Sequence, residues 1–147
     1  MVISNLNTKL IEDRLGFITK ALSRLRNLSR LEEKVFVEND RPAIAESYLR
    51  RALEAIFDIG RHIIAKSADK GLVEYKEIAA ALGKNGVLTE KLAEKLKLMA
   101  GYRNRLVHFY HDVSDQELYS ILKNHLADIE AFVLEIAEFL KAYRKSI

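Results

Sequence analysis

The residues with most to offer chemically lie in one run, Gly101-Tyr102-Arg103-Asn104-Arg105-Leu106-Val107-His108-Phe109-Tyr110-His111-Asp112. Arg103 carries a permanent charge and a planar fork of donors that matches two oxygens of an anion such as a phosphate. His108 has a side chain whose ordinary pKa, about 6.5, suits it to take a proton and give it back near neutral pH. Asn104 can orient either of them, and Tyr110 offers a phenol two residues past the histidine. The chemistry these types suggest is proton transfer beside a bound anion. Arg105 is either a solvated charge or an additional contact to the same anion.

The position of Arg103 gives this reading a physical basis. Leu92, Leu96 and Met99 recur at helical spacing, so one face of the helix that carries them is apolar and faces a core. The next step along that stripe is Arg103, and the stripe resumes at Leu106 and Val107. A charged guanidinium is not taken out of water without a partner. Either the stripe opens onto a wet groove at Arg103, or the residue is paired with a carboxylate such as Glu54 or Asp58. A new helix starts after Ser114, so His108 and Tyr110 are expected at a helix end and in the turn beyond it.

The elements that hold this run are helical from end to end. Residues 3–28 form a long amphipathic first helix, with Ile11, Leu15, Ile18 and Leu22 beside Leu6, Leu10, Phe17, Ala21 and Leu25. Ser29 and Glu32 have capping-box spacing, which predicts a short helical piece over 31–37. Asp40 is expected to cap a second long helix, with Pro42 in its first turn. That helix has Ala45, Tyr48, Leu49, Ala52, Ile56, Ile59 and Ile63 on one face, and Gly60 among them predicts close approach of another helix. A short helix over 75–82 ends at Gly83-Lys84-Asn85-Gly86. Thr89 is the expected N-cap of the helix that carries the run. The last helix opens on Ser114-Asp115-Gln116-Glu117, a strong N-terminal signal, and is expected to continue to about Lys145. The whole, residues 1–147, is expected to be a single all-α domain: a bundle of four long helices plus one or two short ones.

Composition excludes several classes. Cysteine is absent, which leaves no disulfide framework and no thiolate metal site. No stretch has the length and apolarity of a membrane span, and no apolar leader follows a charged start, so the expected location is the cytoplasm. The net charge of +3 permits an anionic partner without requiring one. His108, His111 and Asp112 form a weak metal-ligand set, lacking a helical i, i+4 pair and a fourth candidate, so neither a metal nor any other cofactor is expected. His62 and His125 lie on or beside apolar faces and are read as structural.

Arg103-Asn104-x-x-x-His108-x-Tyr110 resembles the R-x4-H-x-Y motif of HepT-type toxins, a branch of the HEPN helical-bundle superfamily. The polar residue directly after the arginine fits the same pattern. The resemblance extends to residues 52–64, similar to the family's second helix, and to Gly86-Val87-Leu88 before the motif helix. It implies a metal-independent endoribonuclease that works as a homodimer, two motifs facing each other across a cleft. Arg103 and His108 would be catalytic, Asn104 supporting, and Arg105 an RNA contact. It also implies a partner, a minimal nucleotidyltransferase antitoxin of MntA type that attaches AMP to Tyr110. RNA suits these residues, because its 2′-hydroxyl is a built-in nucleophile. Cleavage then needs a base, an acid and positive charge on the phosphorane, and leaves a 2′,3′-cyclic phosphate. One protomer supplies one motif histidine, so a dimer would supply the second. The alternatives are a non-catalytic module that binds RNA or nucleotide through its interleaved aromatic and basic residues, and a protein that serves only as partner of a nucleotidyltransferase.

Overall fold

The computed structural model describes residues 3–108 and 113–147. Among them run four long helices, α1 (Thr8–Ser29), α3 (Arg41–Ala65), α5 (Glu90–Val107) and α7 (Leu126–Ser146). Three short ones, α2 (Glu33–Phe36), α4 (Tyr75–Lys84) and α6 (Asp115–Asn124), lie between them. The expected all-α bundle is thus the observed fold. No helix among the described residues is long and apolar enough to cross a membrane.

Helix α3 is the axis of the bundle. Its apolar face, Ala45, Leu49, Ala52, Ile56, Ile59 and Ile63, is buried, and it packs against α1, α4, α5 and α6. Fully burying each Leu or Ile contributes about 1.5–3 kcal/mol, so this face alone outweighs any local propensity. Gly60 does what its place on that face implies. A Cβ there would stand 2.9 Å from Ile78 Cγ2 and 3.1 Å from Leu82 Cδ1, so the missing side chain lets α4 lie directly on α3. Gly83 repeats the device on the other flank of α4, where a Cβ would come within 2.7 Å of Ala93 Cβ on α5.

Some helix ends follow their local signals and others do not. Helix α1 starts at Thr8 rather than Ile3, because Asn5 sits at φ 60° and Asn7 caps the helix, its side chain accepting the Leu10 N–H at 3.0 Å. Ser29 does not open a capping box; its hydroxyl donates back to the Arg26 carbonyl at 2.8 Å and closes α1. Asp40 precedes α3 without a side-chain cap, although Pro42 occupies the first turn as expected. Thr89 and Ser114 both cap as expected, accepting from the N–H groups of Leu92 at 3.2 Å and Glu117 at 3.1 Å.

The largest departure is in the last helix, which breaks between α6 and α7. The Asn124 amide donates to the Ser120 carbonyl at 2.9 Å and competes for the acceptor that a continuing helix would use. His125 then takes a non-helical backbone, φ −124° and ψ 0°, and α7 starts afresh.

Candidate active site

Helix α5 is fixed at its start before it presents anything at its end. Glu135 on α7 accepts both the Thr89 N–H, at 2.7 Å, and the Thr89 hydroxyl, at 3.1 Å. Leu92, Ala93, Leu96, Met99, Ala100 and Leu106 are buried along one face. Arg103 falls on that face and is half-buried.

The expected pairing of Arg103 with Glu54 or Asp58 is not made. Glu54 and Asp58 are engaged elsewhere, Glu54 with Arg50 at 3.6 Å and Asp58 with Arg14 at 3.5 Å and Arg61 at 3.6 Å. The Arg103 guanidinium instead lies over the ring of Tyr75, its central carbon 4.4 Å from the centroid. Its Nε is buried and has no hydrogen-bond partner, and one terminal nitrogen makes a long contact, 3.4 Å, to Asn104 Oδ1. Guanidinium is weakly hydrated and planar, so an aromatic face is an acceptable neighbour where an ammonium would demand oxygens. The motif arginine keeps its charge without an acidic partner among the described residues.

Arg105, two residues on, is in the opposite situation. It grips Glu117 with both terminal nitrogens, Nη2 to Oε1 at 2.7 Å and Nη1 to Oε2. The paired bonds push the Arg105 pKa up and hold the Glu117 carboxyl below the usual carboxylate range. Glu117 lies in the first turn of α6, where the capping signal assigned its carboxylate to the helix terminus. It points to Arg105 instead, and ties the end of α5 to the start of α6.

His108 caps α5. Its backbone has left the helix, φ −92° and ψ 101°, while its N–H still donates to the Asn104 carbonyl at 3.1 Å. It is exposed, as is Asn104, whose backbone therefore ties the last turn to the histidine. Tyr110 lies outside the described residues, as do His111 and Asp112 of the weak metal set.

Two arrangements near the motif were not anticipated. Tyr75, at the head of α4, meets Phe57 in a tilted ring pair, centroids 4.9 Å apart and planes at 48°, and also lies under Arg61 at 5.4 Å. The sequence marks it only as the start of the short helix over 75–82, and nothing local connects it to Arg103. Tyr102 faces His125, hydroxyl to Nε2 at 3.4 Å, and the other ring nitrogen of His125 meets Asp128 Oδ2 at 3.2 Å. His125 therefore bridges α5 to the α6–α7 junction, a structural use that fits its expected role by a different geometry. His62 is structural too. Its Nε2 accepts the Asn7 N–H at 2.9 Å, and burial first, then the charge of Lys66, lowers its pKa and favours the neutral acceptor form.

A cavity of about 570 Å³ opens between α1 and the N-terminal part of α3, lined by Arg24, Asn27, Ile44, Tyr48 and Arg51 among others. Arg103, Asn104 and His108 do not line it.

The model of the ribonuclease HepT-like family matches residues 18–136. The tRNA nuclease HepT of Aphanizomenon flos-aquae is 27% identical over 139 residues, which is 94% of this chain and 95% of that protein. Among solved structures, YutE of Bacillus subtilis, described as a cytosolic protein of unknown function, superposes with a TM-score of 0.80 at 26% identity, covering 94% of this chain and 93% of its own. The tri-AMPylated HEPN toxin of Shewanella oneidensis, in complex with MNT antitoxin, superposes with a TM-score of 0.75 at 24% identity, covering 88% and 97%. At that identity the last likeness speaks for the fold.

Proposed function

The chain belongs to the ribonuclease HepT-like family, and from that premise we propose that it is a metal-independent endoribonuclease, the toxin of a pair whose antitoxin is a minimal nucleotidyltransferase. The observation that carries the reading is the state of Arg103: a cation held against an aromatic ring, with no carboxylate to neutralise it among the described residues. One helical turn later, at the last hydrogen bond of α5, comes an exposed histidine. A guanidinium with no carboxylate partner among the described residues, on the same helix end as an imidazole, suits a phosphodiester whose charge rises in the transition state.

In the reaction the 2′-hydroxyl of RNA attacks the adjacent phosphorus as a motif histidine takes its proton. The bond to the 5′-oxygen breaks, and that oxygen receives a proton from the second motif histidine. The products are a 2′,3′-cyclic phosphate and a 5′-hydroxyl. Arg103 neutralises the charge gathered on the equatorial oxygens, and Asn104 orients the guanidinium or the imidazole. Two His108 residues are required, so the active form is a homodimer with both motifs on one cleft. Arg105 contributes to RNA affinity by exchanging Glu117 for a phosphate. The protein acts in the cytoplasm, and its antitoxin silences it by attaching AMP to Tyr110. That modification places an anion beside the arginines and fills the groove. The Shewanella oneidensis toxin, which is tri-AMPylated beside its antitoxin, supports this part of the reading.

The test is cleavage of RNA by the purified dimer in EDTA, with end-group analysis of the products. Cyclic phosphate ends, and loss of cleavage by about 10²–10⁴-fold in His108→Ala with RNA affinity retained, are the expected results. Unchanged cleavage by His108→Ala, or inhibition by EDTA, would refute the mechanism.

A further inference from the structure

We propose that Tyr75 is a positioning residue for Arg103, holding the guanidinium by its ring face where a carboxylate would have cancelled its charge. The inference rests on the assignment of Arg103 to the RNA phosphate.

Three observations point the same way. The first is contact: the guanidinium carbon of Arg103 is 4.4 Å from the Tyr75 centroid, and the buried Nε has no hydrogen-bond acceptor among the described residues. A buried donor left in this state normally destabilises a fold, and the negative face of a ring is the neighbour that offsets it without an oxygen. The second is the contrast with Arg105, which is neutralised by Glu117. A carboxylate holds an arginine by cancelling its charge, whereas a ring holds it and leaves the charge for an incoming anion. The third is rigidity. Tyr75 is braced by Phe57 at 4.9 Å, and its helix is seated on α3 through Gly60 and on α5 through Gly83. A guanidinium at the end of a flexible side chain is useful in catalysis only if it is held within a few tenths of an ångström of the productive geometry.

The role can be read by two independent measurements on the full chain. In a proton–nitrogen correlation spectrum the Arg103 Nε–H, identified by its disappearance in Arg103→Lys, should be displaced upfield by the ring current. Tyr75→Phe should keep that displacement, and Tyr75→Leu should abolish it. In cleavage of a short single-stranded RNA, Tyr75→Leu should lower kcat/KM by roughly tenfold, and Tyr75→Phe should restore it to within about twofold of the parent. Progressively fluorinated phenylalanines at position 75 keep the shape of the ring while weakening its negative face, and should lower the rate stepwise. This series also covers the case in which Tyr75→Leu fails to fold.

A Nε–H signal that ignores Tyr75→Leu overturns the proposal. So does a fluorinated series with a flat rate, or a Tyr75→Leu protein that cleaves like the parent. If instead Arg103→Ala cleaves as well as the parent while the Nε–H signal still follows the ring, the ring holds the arginine and the nuclease assignment of Arg103 is what falls.

Discussion

Among the helical glycines Gly16, Gly60 and Gly83, Gly83 should be the least replaceable, and the reasoning can be put to a direct comparison. A Cβ at Gly83 would sit 2.7 Å from the Cβ of Ala93. Two methyl-sized carbons rest at about 3.5–4.0 Å, so roughly an ångström of overlap must be relieved. Ala93 has no rotatable bond with which to retreat, so α4 and α5 must move apart as rigid bodies. Overpacking of that kind costs about 1–3 kcal/mol. Replacing glycine by alanine inside a helix returns about 1 kcal/mol, which offsets only part of the cost. At Gly16 the same substitution meets nothing within 4 Å, so the gain stands alone. Gly60 falls between, because its nearest neighbours are methyl carbons, Ile78 Cγ2 at 2.9 Å on a stiff β-branched side chain and Leu82 Cδ1 at 3.1 Å on a more flexible one, so the overlap to relieve is smaller than at Gly83. The expected order of stability is therefore Gly16→Ala above the parent, Gly60→Ala close to it, and Gly83→Ala below it. For a domain of this size about 2–4 °C in Tm corresponds to 1 kcal/mol, so urea and thermal denaturation resolve the order. A Gly83→Ala protein as stable as Gly16→Ala would refute the argument. Because α4 carries Tyr75, Gly83→Ala should also lower RNA cleavage by more than its loss of stability explains at a temperature where it remains folded.

Three other outcomes are expected. The folded-state pKa of His62 lies below its ordinary value of about 6.5, so the unfolded chain binds more protons in that window. Stability should be full above it and fall as pH drops through it, a slope that chemical denaturation should find missing in His62→Gln, whose amide oxygen can still accept from Asn7. Glu117→Gln removes the charge that holds Arg105 and should tighten binding of a fluorescein-labelled RNA several-fold in anisotropy titrations; weaker binding would remove Arg105 from the interface. Tyr110→Phe should accept no AMP when co-expressed with its nucleotidyltransferase, as read by intact mass, and should remain toxic, whereas an adduct on that variant would move the regulatory site elsewhere.

The bundle was largely legible because its signals are local and periodic. The buried face of α3, the caps at Thr89 and Ser114 and the close approach at Gly60 each follow from spacing or from one residue's backbone preference. The errors came where a side chain had two local uses. Glu117 could finish a capping box or meet Arg105, and the bidentate guanidinium is the stronger partner. Asn124 could continue a helix or bond the Ser120 carbonyl, and it did the latter. Arg103 shows a different limit. The interruption of the apolar stripe announced it, but an aromatic face on another helix is a through-space partner that no spacing encodes. The regulatory reading of Tyr110 came from the motif alone, since that residue lies outside the described structure.

Glu117 has one more consequence, for the behaviour of the protein in salt. An arginine without an acidic neighbour gathers mobile anions from solution, and a phosphate that binds it sets them free. Binding of this kind weakens as salt rises, with a slope of about 0.7 per contact on a single strand. Arg103, which has no carboxylate partner among the described residues, belongs to this class if it is the phosphate contact proposed above. Arg105 carries its counterion within the fold, since the Glu117 carboxylate already occupies both of its terminal nitrogens. A phosphate reaching Arg105 displaces a side chain rather than dissolved ions, so that contact adds little to the salt slope whatever it adds to affinity. On the proposed reading, ionic strength therefore acts on the grip of Arg103 and largely spares that of Arg105.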